Sequence, residues 1–262
     1  MKKIGIIGCG NMGEAILAGA RSKFSIIVSE TSRTRQKYLK KVYRLTTKSI
    51  ADLLKVCDVV VLAVKPQGID DALQELKGAA LSKKLFISIA AGITTNYLEK
   101  KIGAKARVVR AMPNLPAKIQ KGATAVCRGK YSSSQDIRVA VSIFDTIGKT
   151  IVVKENLMDS VTAVSGSGPG YIYLFIEEMI KAAKALGFNE KIASDLVLQS
   201  FDGSIELLKK SKDNAQILRK RVTSKGGTTQ AAIDVFSKNK IDVIFKQALR
   251  AAQKRSKALS RR

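Results

Sequence analysis

Two glycine turns carry the chemistry open to this chain. The first lies in Ile4 to Gly13 (I-G-I-I-G-C-G-N-M-G), where Gly8, Gly10 and Gly13 follow a short apolar run and precede a helix-like stretch, Glu14 to Ala20. In this G-x-G-x-x-G spacing the first glycine permits a sharp turn. The second lets the backbone approach a pyrophosphate, and the third lets the helix pack closely on the strand. Free N–H groups and the dipole at the helix start favour phosphate charge. The turn, with Asn11 and Met12 inside it, is therefore expected to bind a dinucleotide. The second turn is Thr223 to Thr229 (T-S-K-G-G-T-T), which opens a helix. Its amides can cradle a carboxylate and its hydroxyls can hand a proton to nitrogen. The plainer reading is an ordinary N-cap, where Ser and Thr are preferred.

Composition narrows the rest. The chain of 262 residues holds no histidine, which excludes Ser-His-Asp and Cys-His triads and most histidine-ligated metals. Cys9, Cys57 and Cys127 are far apart and show no C-x-x-C spacing, so neither a disulfide framework nor a zinc site is indicated, and no metal is expected. The net charge of +26 is spread along the chain, aromatic residues make up only 5%, and no nucleic-acid motif is recognisable. A specific nucleic-acid partner is not expected; a basic field also attracts anionic metabolites and dinucleotides. Lys254, Arg255, Lys257, Arg261 and Arg262 read as a solvated, frayed terminus. No apolar run reaches the length of a membrane span, and Met1-Lys2-Lys3 leads straight into the first strand without a signal-peptide core. A cytoplasmic protein with no membrane partner is expected.

The elements that must position the turns alternate. Ser25 to Ser29 reads as a second strand ending at Glu30, about 20 residues past the glycine turn, where a carboxylate accepts hydrogen bonds from the ribose 2'-hydroxyl of NAD. Thr31, Ser32, Arg33 and Arg35 follow at once and could bind the 2'-phosphate of NADP, so the choice between the two stays open. Helices are expected at Lys37 to Arg44, Ser49 to Val56, Asp70 to Lys77, Thr94 to Lys101 and Ser134 to Ile147. Strands are expected at Asp58 to Val64, Leu85 to Ile89, Arg107 to Arg110, Ala123 to Cys127 and Thr150 to Val153. The run D-V-V-V-L-A-V at Asp58 suits a parallel strand buried on both faces. This alternation predicts an α/β fold, a doubly wound parallel sheet over residues 1–155. Residues 156–262 read as helices only: Met158 to Gly187, Glu190 to Lys210, Ala215 to Thr223, Thr228 to Ser237 and Ile241 to Leu259. Between Tyr171 and Leu186 the apolar residues face all round, so a partner subunit is expected to cover this helix.

Seven segments in order carry a resemblance: I-I-G-C-G-N-M-G-E-A-I at 6–16, A-V-K-P-Q at 63–67, S-I-A-A-G-I at 88–93, V-R-A-M-P-N-L-P-A at 109–117, G-A-T-A at 122–125, D-S-V-T-A-V-S-G-S-G-P-G-Y at 159–171 and V-T-S-K-G-G-T-T at 222–229. On these the chain resembles the pyrroline-5-carboxylate reductase family nearly end to end. The resemblance implies a Rossmann-type domain followed by an all-α dimerisation domain, and a homodimer or a larger assembly of dimers. It also implies hydride transfer from NADPH or NADH to the C=N carbon of 1-pyrroline-5-carboxylate, giving L-proline. By family pattern Ala63, Lys65, Pro66, Ala90, Ala91 and Gly92 would line the cofactor and Asn114 would sit near the nicotinamide. Ser224, Gly226, Gly227, Thr228 and Thr229 would hold the substrate carboxylate, with Thr229 also touching the ring nitrogen as the catalytic residue. Lys225 stands where the family has proline, and Leu115 and Gly170 replace the commoner threonine and alanine. Two other classes stay open: a related enzyme acting on another cyclic imine or a hydroxy acid, and a non-catalytic binder of the same fold.

Overall fold

A computed structural model describes residues 2–76, 81, 83–103 and 105–259. The first half runs β1 (Lys3–Ile7), α1 (Asn11–Ala20), β2 (Ser25–Ser29), α2 (Arg33–Tyr43), α3 (Ile50–Val56), β3 (Val59–Leu62) and α4 (Ile69–Gln74). It continues through β4 (Leu85–Ser88), α5 (Thr95–Ile102), β5 (Arg107–Met112), β6 (Gly122–Arg128), α6 (Ser134–Phe144) and β7 (Gly148–Val152). Side chains set several of these starts. Ser32, Ser49, Thr94 and Ser133 each accept a hydrogen bond from the amide three residues on, at α2, α3, α5 and α6, which satisfies one of the four amides a helix start leaves open.

All seven strands form one sheet in the order β2-β1-β3-β4-β5-β6-β7. Pairing is parallel from β2 through β5, but β6 runs antiparallel to β5 and parallel to β7. The sheet is thus mostly rather than wholly parallel. No crossover helix separates β5 from β6; only the short turn Leu115–Ile119 does, and a link of that length cannot return the chain for a parallel pairing. Burial on both faces follows the side-chain period of two. Ile4, Ile6, Val59, Val61, Leu85 and Ile87 pack with α1 and α6 on one face. Ile7, Val60, Leu62 and Phe86 pack with α3, α4 and α5 on the other.

The sequence reading of one helix from Met158 to Gly187 is corrected. The segment breaks into a four-residue turn of helix, α7 (Met158–Val161), a π-type turn at Thr162–Gly166, and α8 (Gly168–Ala185). Thr162 Oγ1 donates back to the Met158 carbonyl at 2.9 Å and Ser165 Oγ to that of Val161 at 3.1 Å. Such back-bonding hydroxyls compete with the helix ladder, and Pro169 cannot donate to it.

Helices α9 (Glu190–Lys210), α10 (Ala215–Arg221), α11 (Thr228–Lys238) and α12 (Ile241–Leu259) complete the chain. The structure divides into two compact units, one of Met1–Pro169 with Arg250–Arg262 and one of Gly170–Leu249. Within the first, the end of α12 is fastened by Gln253 Nε2 to Ser160 Oγ at 2.6 Å and by Ser256 Oγ to Asp159 Oδ1 at 2.7 Å. Lys254, Arg255 and Lys257 therefore lie on an ordered helix, a correction to the frayed terminus; Arg261 and Arg262 lie outside the described residues, as does Lys77 of the fourth expected helix. Within the second unit Ile172, Tyr173, Leu174 and Met179 of α8 are exposed. The single chain does not cover this helix. No described helix is long and apolar enough to cross a membrane.

Candidate functional site

The strand order reverses at β1, which pairs with β2 on one side and β3 on the other. In open α/β sheets ligands bind beyond the carboxyl ends of the strands at such a switch point. The residues at that place here are the glycine turn after β1 and Ala63 to Pro66 after β3. Gly8 has φ +84, a conformation that side chains rarely adopt, and a Cβ on it would stand 2.8 Å from Val64 and 3.1 Å from the Ala63 carbonyl. A Cβ on Gly13 would stand 2.4 Å from the Gly8 carbonyl, so α1 and the turn touch backbone to backbone. Gly10 differs: it is exposed and has no heavy atom within 4 Å of the place a Cβ would take. It is also the N-cap of α1, and no side chain bonds to that cap. No side chain caps the first amides of α1, and the space beside Gly10 is open. This donor set fits a pyrophosphate.

Helix α11 shares that property. Its N-cap is Gly227, again without a side-chain hydrogen bond, whereas Asn189 and Asn214 cap α9 and α10. The ordinary hydroxyl N-cap considered for this turn is therefore not what forms: Thr228 and Thr229 lie inside the helix and Ser224 precedes it. Ser224, Gly226 and Thr228 are exposed, and Gly227 and Thr229 are half-buried. Among the α-helices with a described cap, only α4, which continues a 3-10 turn, also starts at a glycine.

The remaining expected residues gather in the first unit. Ala63 is half-buried; its amide donates to Ile7 at 2.8 Å, and its Cβ lies 3.4 Å from where a Gly13 Cβ would be. Lys65 is exposed and precedes the 3-10 turn begun by Pro66. Ala90, Ala91 and Gly92 follow β4; Gly92 is buried and would place a Cβ 3.2 Å from Leu259, so its small size also serves the chain's own last helix. Asn114 follows β5, and both ends of its side-chain amide are engaged. Oδ1 accepts from the Ala123 amide at 2.8 Å and Nδ2 donates to the Ser165 carbonyl at 3.0 Å. It ties the β5–β6 link to the π-type turn.

Sequence reasoning missed a network behind the glycine turn. Glu30 is held by backbone donors: Oε2 accepts from the Cys9 amide and Oε1 from the Ser32 amide, both at 2.8 Å. Arg35 donates to the Cys9 carbonyl from Nε at 3.0 Å and Nη2 at 2.6 Å, and pairs with Glu14 at 2.7 Å. Glu14 also accepts from Tyr38 at 2.9 Å and Tyr43 at 3.0 Å. Burial raises the Glu14 pKa, but the hydrogen bonds from Arg35, Tyr38 and Tyr43 outweigh it and hold the carboxyl below its usual range. Burial, then the bond to Glu14, pushes Tyr43 up to about 12, and burial pushes the Cys9 thiol to about 12, which makes it an inert core group. Arg33, on the exposed start of α2, takes no part. The only prior signal for this network was Glu14 on the first turn of α1, facing a basic and aromatic helix. No group of three or more His, Cys, Asp or Glu side chains that could hold a metal occurs among the described residues.

An open sheet with a glycine turn and an uncapped helix at its switch point defines a dinucleotide-binding α/β fold, and comparison with known proteins refines it. Residues 155–259 match the family described as pyrroline-5-carboxylate reductase dimerisation, and residues 3–92 match NADP oxidoreductase, coenzyme F420-dependent. The pyrroline-5-carboxylate reductase of Synechocystis sp. is 38% identical, over 99% of both chains. The solved pyrroline-5-carboxylate reductase of Coxiella burnetii is 36% identical with TM-score 0.91, over 99% of this chain and 98% of that one. The Plasmodium falciparum pyrroline carboxylate reductase, solved with NADP bound, is 34% identical with TM-score 0.88, over the same shares. The chain belongs to the pyrroline-5-carboxylate reductase family, and is thus an oxidoreductase that uses NADP(H) or NAD(H).

Proposed function

We propose that this chain reduces 1-pyrroline-5-carboxylate to L-proline as a cytoplasmic homodimer, with the dinucleotide on the Gly8–Gly13 turn and the substrate on the Ser224–Thr229 turn. The observation that carries the assignment of the two turns is the pair of helix starts, α1 and α11, that begin at a glycine with no side-chain cap. Each offers open amides to an anion, the pyrophosphate at one and the substrate carboxylate at the other. Held there, a nicotinamide would supply a hydride to the C=N carbon, and the ring nitrogen would keep the proton it carried in as an iminium. A strong general acid is unnecessary, which suits a chain without histidine. Thr229 would hydrogen-bond the ring nitrogen, and Lys225, exposed in the same turn, adds positive charge near the carboxylate. Ala63, Lys65, Pro66, Ala90, Ala91 and Gly92 would line the cofactor, with Asn114 close to the nicotinamide, one of its two Nδ2 hydrogens given to Ser165.

Dimerisation is supported by the exposed apolar residues of α8, Ile172, Tyr173, Leu174 and Met179, and by the match to a dimerisation family. Free, buried Cys9, Cys57 and Cys127 accord with a reducing compartment. The test is oxidation of NADPH and NADH, each followed by its nicotinamide absorbance with 1-pyrroline-5-carboxylate present and absent. Imine-dependent oxidation with release of proline is expected. Oxidation of neither would remove the assignment of substrate. Light scattering on the eluted peak is expected to give twice the chain mass or a multiple of it, and a monomer would remove the dimer.

A further inference from the structure

Glu30 ends β2 beside the glycine turn, and both its oxygens are held by backbone donors, the amides of Cys9 and Ser32. One donor belongs to the glycine turn and the other to the N-cap of α2. Open amides at a turn and at a helix start attract an anion, and a phosphate on the ribose 2'-oxygen is such an anion. In this chain the side chain of Glu30 already occupies that role. An ionised carboxylate has about four acceptor sites; two are taken, and two remain for donors such as the ribose hydroxyls.

The cation that sequence alone offered to a 2'-phosphate is engaged elsewhere. Arg35 bonds the Cys9 carbonyl twice, pairs with Glu14, and stacks over the Tyr38 ring with 4.7 Å to its centroid. Cys9 is thus gripped at both ends, its amide by Glu30 and its carbonyl by Arg35. Releasing Arg35 to a phosphate would free the turn that carries the pyrophosphate. Arg33 and Lys37, both exposed and one turn apart in α2, are left without an ion pair among the described residues, and they would have to outweigh the Glu30 carboxylate, whose charge has the same sign as the phosphate's.

We propose that the chain takes NADH in preference to NADPH, with Glu30 as the specificity-determining residue. This rests on the reductase reading above only for its kinetic arm. The ribose 2'-hydroxyl donates to Glu30, and a 2'-phosphate meets a carboxylate that cannot withdraw without unpairing two amides. Arg35 is a positioning residue: it acts through Cys9 and serves both cofactors alike.

Two measurements on the full chain test this: dissociation constants of NADH and NADPH by fluorescence titration, and kcat/KM for each with 1-pyrroline-5-carboxylate. At low salt, NADH is expected to lead by at least about tenfold in both, the lead shrinking as salt screens the repulsion. Glu30→Gln is expected to raise NADPH affinity and narrow the ratio by about tenfold or more; Glu30→Ser serves as the second variant, each checked by thermal melting. Arg35→Gln is expected to weaken both cofactors by the same factor, whereas a phosphate ligand would lose NADPH alone. Wild-type preference for NADPH, or a ratio unmoved in both folded Glu30 variants, would overturn the proposal. Tighter NADH binding with no imine turnover would uphold it while removing the reductase reading.

Discussion

Replacing Gly10 and Gly13 by alanine separates what the turn does for folding from what it does for binding. Gly10 has φ −71 and ψ −161, which alanine adopts freely, and nothing lies within 4 Å of the new methyl. Gly10→Ala should fold with stability little changed, since the loss of a glycine N-cap, about 1 kcal/mol, is offset by the restriction alanine places on the unfolded chain, about 0.4–1 kcal/mol. The methyl would nonetheless stand where a pyrophosphate must approach the backbone. Two hydrogen bonds to a charged group, at about 1.5–3 kcal/mol each, set a loss of about 3–6 kcal/mol, or roughly 10²–10⁴ in dinucleotide affinity. Gly13→Ala places its methyl 2.4 Å from the Gly8 carbonyl oxygen, so α1 or the turn must move. Overpacking of this kind costs about 1–3 kcal/mol, offset by about 1 kcal/mol from alanine's better helix propensity, for a net loss of up to about 2 kcal/mol. Thermal melting without ligand, paired with titration of the cofactor, reads both effects. Unchanged dinucleotide affinity in Gly10→Ala would refute the assignment of the turn. A fall in melting temperature equal to that of Gly13→Ala would refute the steric argument.

Three further outcomes follow from the same contacts. Thr229→Ala is expected to lower turnover by about 10- to 100-fold, the value of one hydrogen bond to a charged group, with the cofactor dissociation constant unchanged; full turnover in that variant would take Thr229 out of the mechanism. Asn114→Ala removes two largely buried hydrogen bonds, to Ala123 and Ser165, and should cost about 2 kcal/mol in denaturant unfolding, a loss that a merely exposed asparagine would not show. Glu14 has a folded pKa below its ordinary 4.5, so its contribution is complete above that value and is lost as pH falls through the folded pKa. The melting temperatures of the wild type and Glu14→Gln should differ at neutral pH and converge in acid; a constant gap down to the acid limit would show that ionisation of Glu14 does not stabilise the fold.

The sheet was legible because its strands obey a strong rule: a strand buried on both faces has no polar face, and the run at Val59 to Leu62 could sit only in the middle of a sheet. Several helix starts were legible within a residue for a similar reason, since Ser49, Thr94 and Ser133 carry both the capping oxygen and the turn preference in one residue. The reversal of β6 was not, because the direction of a strand depends on the length and path of its connection rather than on its own residues. The break at Thr162 to Gly166 was hidden by apolar spacing that suits a helix. What interrupts it is hydroxyl back-bonding, which periodicity does not register. The same limit explains Arg35. Basic residues after Glu30 announce a place for phosphate, and only the position of Glu14 one helix earlier shows that this guanidinium is already engaged. Composition lists what each group can do, and its partners decide what remains free to do it. On that argument the open amides at Gly10 and Gly227 are more informative than the charges around them, for they are donors that the fold leaves without side-chain partners while Ser, Thr or Asn caps most other helices.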